Sequence, residues 1–257
     1  MVNADFTVEE HVGYVTIQRE EALNAIDTPT KREMIDTIGA WRDDDAVRAI
    51  VIRSAGEQAF CAGGDLKEVV EQDYSLSYFT DSWEELFEVM RSAPPIVARV
   101  DGYTLGGGFD LMLHCDVVVA AEDAQLGQPE VDLGIVNHFS PPLLLELVGL
   151  RKTVELMLTG ETISGTEAER IGLVTRSVPA DELDEAVDAV VESVRQKSPA
   201  IVQRVKDGIY TSLEMSPAAA RDHLEAVALE SARTEPYYKE GVDAQLEDRE
   251  PDWSVGE

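Results

Sequence analysis

Between Asp101 and Cys115 the chain reads DGYTLGGGFDLMLHC, an apolar strand that breaks into Gly106, Gly107 and Gly108 and resumes as a short helix with Asp110 in its first turn. Glycines at this junction remove every side chain, so a ligand atom could lie directly against backbone N–H groups. Those amides stand at the positive end of the helix dipole, roughly half a charge, which suits an oxygen that becomes negative during a reaction. Asp110 follows Gly107 by three residues and at helical spacing projects from nearly the same face. A donor for an oxyanion and a carboxylate for proton transfer would thus stand side by side. Taken alone, the stretch also suits a helix packed tightly on a strand, its acid merely complementing the dipole. Two other chemistries fail on spacing. A phosphate-binding P-loop needs Gly-Lys-Ser/Thr where Phe109 and Asp110 stand, and GGGFDL lacks the last glycine of a dinucleotide fingerprint.

A second stretch, AFCAGGDLKEVV at 59 to 70, repeats the order of strand, small residues, Gly63-Gly64, acid and helix, and offers a second backbone donor by the same logic. Further on, LGQPEVDLGIVNHFSPP carries Glu130 after a proline in otherwise apolar surroundings. Either this glutamate is solvated in a loop or it is held there for a purpose.

Strands alternating with helices must position these groups, which argues for an α/β core. Residues 4 to 18 alternate like a hairpin turning at His11 to Gly13. Thr28-Pro29 supplies an N-cap and first-position proline to a helix striped by Met34, Ile35, Ile38 and Trp41. Ala49 to Ile52 reads as a buried strand and Ser77 to Ala93 as a helix facing inward with Trp83, Leu86, Phe87 and Met90, ended by Pro94-Pro95. Ile96 to Val100 and Asp116 to Ala121 are apolar strands on either side of the glycine stretch. An apolar helix is expected from near Leu143, short helices at Arg151 to Leu158 and Ser164 to Ile171, a strand at Leu173 to Val178, and an amphipathic helix at Asp181 to Ser198. From Pro199 onward only helical pattern remains. Residues 1 to 198 therefore read as the core, and 199 to 257 as a separate helical region.

Composition narrows the class. With 257 residues and 44% hydrophobic residues the chain can bury a substantial core. No apolar run approaches the ~20 residues of a membrane span, and the start, MVNADFTVEE, lacks the features of a signal peptide, so a cytoplasmic protein is expected. Cys61 and Cys115 sit among small and apolar residues, as buried free thiols do, and neither a disulfide nor a metal site is expected. Acids outnumber bases 51 to 21, for a net charge of −30. They are spread along the chain, the longest run being the three aspartates at 43 to 45, rather than gathered into a surface for basic partners. At molar salt the screening length falls to about 3 Å and such self-repulsion nearly vanishes, so the composition reads as adaptation to a salty cytoplasm. The same charge disfavours nucleic acid.

ALNAI at 22 to 26, AFCAGGDLKE at 59 to 68, GYTLGGGFDLMLHCDVVVA at 102 to 120, QLGQPEVDLG at 125 to 134 and LTGETISGTEAERIGLV at 158 to 174 together resemble the enoyl-CoA hydratase/isomerase, or crotonase, superfamily, in the family's order and over nearly the whole chain. The resemblance implies a spiral of ββα units followed by a C-terminal helical trimerisation region, in trimers or in hexamers formed as dimers of trimers. It implies an acyl-CoA thioester substrate, with no cofactor beyond the coenzyme A carried by that substrate. Gly64 and Gly107 match the two backbone donors that hold the thioester carbonyl. Asp110 and Glu130 match the two glutamates that position a water in hydratases. One carboxylate would take a proton from water as it attacks Cβ while the other protonates Cα, with Glu130 assigned the acid/base work and Asp110 the orientation of the water. Lys67 matches a position along the CoA adenine, the backbone around Ala22 and Ala62 matches further CoA contacts, and Asp65 and Leu66 complete that edge.

Departures from the pattern are informative. Asp110 is one methylene shorter than glutamate, which withdraws its oxygens by more than ~1 Å unless the pocket closes in. Asn137 to Pro142 replaces a proline and glycine-rich turn, which implies either a changed acyl pocket with His138 as an extra polar group or a rebuilt surface loop. Asp248 replaces a lysine that often reaches CoA phosphates, leaving Arg249 as the nearby cation. Hydration of trans-2-enoyl-CoA is the reaction that two acids favour. A Δ3,Δ2-enoyl-CoA isomerase or another acyl-CoA enzyme of the superfamily, working with Glu130 alone, is the alternative. A non-catalytic scaffold or RNA-binding relative is disfavoured by both glycines, both acids and the charge.

Overall fold

The computed structural model describes residues 3–75, 77–234 and 236–256. It divides into two compact units, 1–192 and 193–257.

The first unit opens with an antiparallel hairpin, β1 (Ala4–Glu9) and β2 (Val12–Ile17). Its turn is Glu10-His11, both at positive φ (46° and 69°), one step earlier than the sequence suggests. Gly13 already belongs to β2, where a Cβ would stand 2.7 Å from the Trp41 ring, so Trp41 lies flat on the strand there. Helix α1 (Thr28–Arg42) is capped by Asp27, whose carboxylate accepts from Thr30 N at 3.0 Å. Thr28 is therefore the first helical residue rather than the cap. Met34, Ile35, Ile38 and Trp41 are buried as their spacing predicts, each stabilising the fold by about 1.5–3 kcal/mol through burial.

Three successive units then repeat one path. Strand β3 (Ala49–Ser54) enters a large sheet, β4 (Ala59–Cys61) a small one, and α2 (Leu66–Glu71) follows, then α3 (Ser77–Ser92). Likewise β5 (Ile96–Val100) enters the large sheet and β6 (Tyr103–Leu105) the small one before α4 (Gly107–Leu113). Strands β7 (Val117–Ala121) and β8 (Gln125–Gly127) do the same before a 3₁₀ turn at Pro129–Leu133. The large sheet runs β1-β2-β3-β5-β7-β10, parallel from β2 onward. Its central strands are mostly apolar, interrupted only by Arg53 and Ser54 at the end of β3 and by Arg99 in β5, as strands covered on both faces tend to be.

The small sheet runs β4-β6-β8-β9, with β4, β6 and β8 parallel and in register through Cys61, Thr104 and Leu126. The C-terminal ends of three consecutive small-sheet strands therefore reach one edge, the usual place for a ligand in parallel β structure. β8 and the two-residue β9 (Ile163–Ser164) are not visible in the sequence pattern, because three and two residues are too few to show alternation.

The remaining helices of this part are α5 (Ser140–Leu147), α6 (Gly149–Thr159) and α7 (Gly165–Arg170), followed by β10 (Arg176–Val178) and α8 (Leu183–Arg195). α5 begins three residues before Leu143, with Pro141 and Pro142 in its first turn, where a missing N–H costs nothing. Ser164 caps α7, as its position suggests.

The second unit holds α9 (Pro199–Ser212), α10 (Pro217–Thr234) and α11 (Tyr237–Glu247), with no strand among its described residues. Gly208 gives α10 close access to α9: a Cβ there would stand 2.5 Å from Leu224. Arg249 is not a spare cation. Its guanidinium meets Glu240 at 2.6 Å and Glu247 at 2.7 Å, and it holds the Glu240 carboxyl down to about 2. Across the described residues no helix is long and apolar enough to cross a membrane.

Candidate active site

The edge where β4, β6 and β8 end carries the residues singled out by the sequence. After β4 the chain turns through Gly63 (φ +102°) to Gly64, and after β6 through Gly106 (φ +54°) to Gly107. A Cβ on Gly63 would stand 3.0 Å from Gly107 N, and one on Gly107 would stand 3.4 Å from Gly64 N. The two glycine turns thus face each other, and any side chain at Gly63 would cover the amide of Gly107. Neither the Gly64 nor the Gly107 amide donates a hydrogen bond among the described residues. Gly64 is held by the bridge to Ile26, where Ile26 N donates to Gly63 O at 2.8 Å and Asp65 N to Ile26 O at 3.2 Å. This leaves two backbone donors at one place, with Gly107 opening a helix whose dipole adds positive potential.

The three glycines of β6–α4 do different work. Gly106 takes the positive φ, Gly107 leaves room for the Trp83 ring, and Gly108 packs α4 against β4, where a Cβ would sit 2.1 Å from the Cys61 carbonyl oxygen. Tight packing is therefore realised at Gly107 and Gly108, next to the turn that Gly106 makes. Because the obstacle at Gly108 is backbone, Gly108→Ala is expected to lower stability by about 3 kcal/mol, read as a lower urea midpoint. An unchanged midpoint would contradict this packing.

Two carboxylates complete the edge. Asp110, in the first turn of α4, is 3% exposed. Its Oδ1 accepts from Ser140 Oγ and from Gln128 Nε2 at 3.0 Å, and its Oδ2 from Asn137 Nδ2 at 2.8 Å. Gln128 Nε2 also donates to Ser140 Oγ. Glu130 lies in the 3₁₀ turn after β8, and its Oε1 accepts from the same Asn137 nitrogen at 2.9 Å. Glu130 Oε2 is buried without a partner among the described residues. Burial pushes the Asp110 carboxyl up to about 7. The donors Ser140 and Asn137 pull against that, the charge of Glu130 adds to it, and Gln128 again opposes it. Burial also raises Glu130, with the Asn137 bond opposing.

The pocket over these groups has a volume of about 120 Å³. Gly64, Gly107, Asp110 and Glu130 line it together with Trp83, Leu133, Val136 and Phe139, the last two from the loop that ends at α5. Val136 is 87% exposed and Leu66 52%, so the mouth is apolar. Phe139 meets Phe87 edge-on, and Phe87 stacks on His114 at 3.8 Å, whose Nδ1 lies 2.7 Å from Asp110 O at the end of α4. Lys31 is buried beneath Trp83, with Nζ 4.9 Å from the ring centroid, and burial lowers its amine to about 8.

Of the expected CoA edge, Ala62 and Leu66 line the pocket. Ala22 is held beside Ala62 by the bond from Ala62 N to Leu23 O at 3.0 Å, and Lys67 is exposed on α2. The Asp65 carboxylate is engaged locally, capping α2 at Lys67 N (2.8 Å) and pairing with Arg19 (2.6 Å). The loop 137–142 is no detached surface segment. Its polar contribution to the acids comes from Asn137 and Ser140, however, while His138 is exposed at the pocket rim against Phe139. Gln128, Asn137 and Ser140 do not stand out in the sequence. The available signal is the Asn137-to-Pro142 order itself, since prolines mark a helix start and an Asn just before it marks a cap. No group of three or more His, Cys, Asp or Glu residues among those described is placed to hold a metal ion, and Cys61 and Cys115 are buried free thiols.

Residues 7–256 match the profile of a family described as enoyl-CoA hydratase/isomerase. A probable enoyl-CoA hydratase of Mycobacterium tuberculosis is 32% identical over 247 residues, covering 96% of this chain and 95% of its own. The mitochondrial enoyl-CoA hydratase of Pongo abelii is 33% identical over 242 residues, 93% of this chain and 82% of its own. Among solved structures, an enoyl-CoA hydratase from Bacillus anthracis superposes with a TM-score of 0.90 at 29% identity, over 99% of this chain and 100% of the other.

Proposed function

The chain belongs to the enoyl-CoA hydratase/isomerase family, and from that premise we propose that it adds water across the double bond of trans-2-enoyl-CoA thioesters. The observation that carries this reading is a pair of acids, Asp110 and Glu130, joined by one amide opposite the paired backbone donors Gly64 and Gly107. In the reaction the thioester oxygen lies against the Gly64 and Gly107 amides. Water is held between the acids, Asp110 orienting it through the one acceptor position of its carboxylate that Ser140, Gln128 and Asn137 leave open. As the water oxygen bonds to C3, its proton passes to Glu130 Oε2 and the π electrons move to the thioester oxygen. The enolate then collapses and takes the proton from Glu130 at C2, so one water is added and Glu130 is regenerated. Each backbone donor contributes about 3 kcal/mol to holding the enolate.

The CoA portion is assigned to the edge of Ala22, Ala62, Leu66 and Lys67, with Asp65 contributing backbone only. No cofactor enters the scheme. The helical second unit exposes Ile209, Leu213, Tyr238 and Leu246, which supports its assignment as the surface that joins copies into trimers or hexamers. The net charge of −30 supports a salty cytoplasm as the setting. A second reading, isomerisation of 3-enoyl-CoA by one base, is favoured by a single feature: Glu130 Oε2 is the one buried carboxylate oxygen of the pair without a partner. In ¹⁸O-labelled water the hydratase is expected to place the label on C3 of a 3-hydroxyacyl-CoA. A 2-enoyl product from 3-enoyl-CoA, with no label taken up, would contradict hydration.

A further inference from the structure

We propose that Asn137 is a positioning residue that ties the two carboxylates together and makes up for the methylene that Asp110 lacks relative to glutamate, an inference that rests on the proton-transfer roles given above. Its amide has one possible orientation. Oδ1 accepts from Phe139 N at 2.9 Å and Ser140 N at 3.0 Å, which turns Oδ1 to the start of α5 and Nδ2 to the acids. The two hydrogens on Nδ2 have their short contacts with Asp110 Oδ2 at 2.8 Å and Glu130 Oε1 at 2.9 Å, and Gln128 Oε1 stands farther off at 3.4 Å. Two carboxylates this close repel, and a neutral donor between them offsets that repulsion without adding a third charge. The bridge also chooses the reactive atom. With Asp110 Oδ1 taken by Ser140 and Gln128, and one oxygen of each acid taken by Asn137, Glu130 Oε2 is left to carry the proton. Accepting from the Phe139 and Ser140 amides would not alone require asparagine, since a serine hydroxyl also offers an oxygen. The nitrogen on the far side of the amide is what asparagine adds.

Asn137→Ser keeps an acceptor oxygen before α5 and withdraws the amide donor. It is expected to lower kcat by about 10- to 100-fold with KM within about threefold, and to move the acid limb of the pH–rate profile to higher pH, because a donor to the anionic form is lost. Asp110→Glu gives a second, independent reading. The added methylene drives the carboxylate into Nδ2, so the single variant is expected to lose activity, and Asp110→Glu combined with Asn137→Ser to exceed both single variants. Titration of ¹³C-carboxyl-labelled aspartate needs no turnover, and so separates failure of this inference from failure of the hydratase reading: in Asn137→Ser the Asp110 signal should titrate above its wild-type midpoint. Unchanged kcat, pH limb and Asp110 titration in Asn137→Ser, or a double variant no better than the better single, would overturn the bridge.

Discussion

Glu130→Gln is expected to lower kcat for hydration by about a thousandfold or more, with KM within a few-fold and the thermal midpoint unchanged. The substitution keeps the shape of the side chain and leaves an oxygen to accept from Asn137, which meets Glu130 Oε1 at 2.9 Å. What it removes is basicity at the position of Oε2, the buried oxygen without a partner. The groups that the proposed scheme assigns to substrate binding, Gly64, Gly107 and the CoA edge, are unchanged, so the loss should fall on kcat. A variant that hydrates at near-normal rate would place the base elsewhere, and Asp110 would be the first candidate.

Asp110→Asn carries the second-largest effect, about a hundredfold or more in kcat, through a different route. The substituted side chain can still accept from Ser140 and Gln128 through its amide oxygen, but it turns its own N–H₂ toward the Asn137 donor that Oδ2 satisfies in the wild type. The bridge to Glu130 is broken, and in the proposed scheme the water loses its second acceptor. Wild-type turnover should fall as pH drops through about 7, because burial raises Asp110 to that value and its neutral form is a weaker acceptor than the carboxylate. Stability should run the other way. Between its ordinary value of 3.8 and about 7 the folded state binds a proton that the unfolded state does not, so this contribution is fully present below about 4 and lost as pH rises through 7. The Asp110→Asn protein escapes that loss, and its stability relative to wild type should improve by about 4 kcal/mol between pH 4 and 8. A pH-independent stability difference would mean that Asp110 is not buried as a raised acid.

The parts of this site that are legible in the sequence are those written into repeated local order. Gly64 and Gly107 stand out because strand, glycine pair, acid and helix occur twice, and the fold turns both units into neighbours on one sheet edge. Helices α1, α3 and α8 are legible from apolar spacing alone. Strand β8 is not, since QLG has no room for a pattern, yet its end delivers Gln128 and Glu130. Asn137 is harder still. It lies 27 residues from Asp110, in a loop whose polar residues before two prolines resemble any surface turn, and its role depends on where that loop packs. His138, the residue in that loop whose chemistry draws notice, is exposed at the pocket rim and makes no bond to the acids among the described residues. Local sequence reports the backbone donors; the cage around an acid is assembled by tertiary contact.

Hydration can be read from the conjugated enoyl-thioester absorbance of crotonyl-CoA mixed with the purified protein in molar KCl. The absorbance is expected to fall rapidly, with a 3-hydroxyacyl-CoA as the product. A stable absorbance with crotonyl-CoA, together with its appearance from a 3-enoyl-CoA, would contradict hydration and leave Glu130 as the single base of an isomerase.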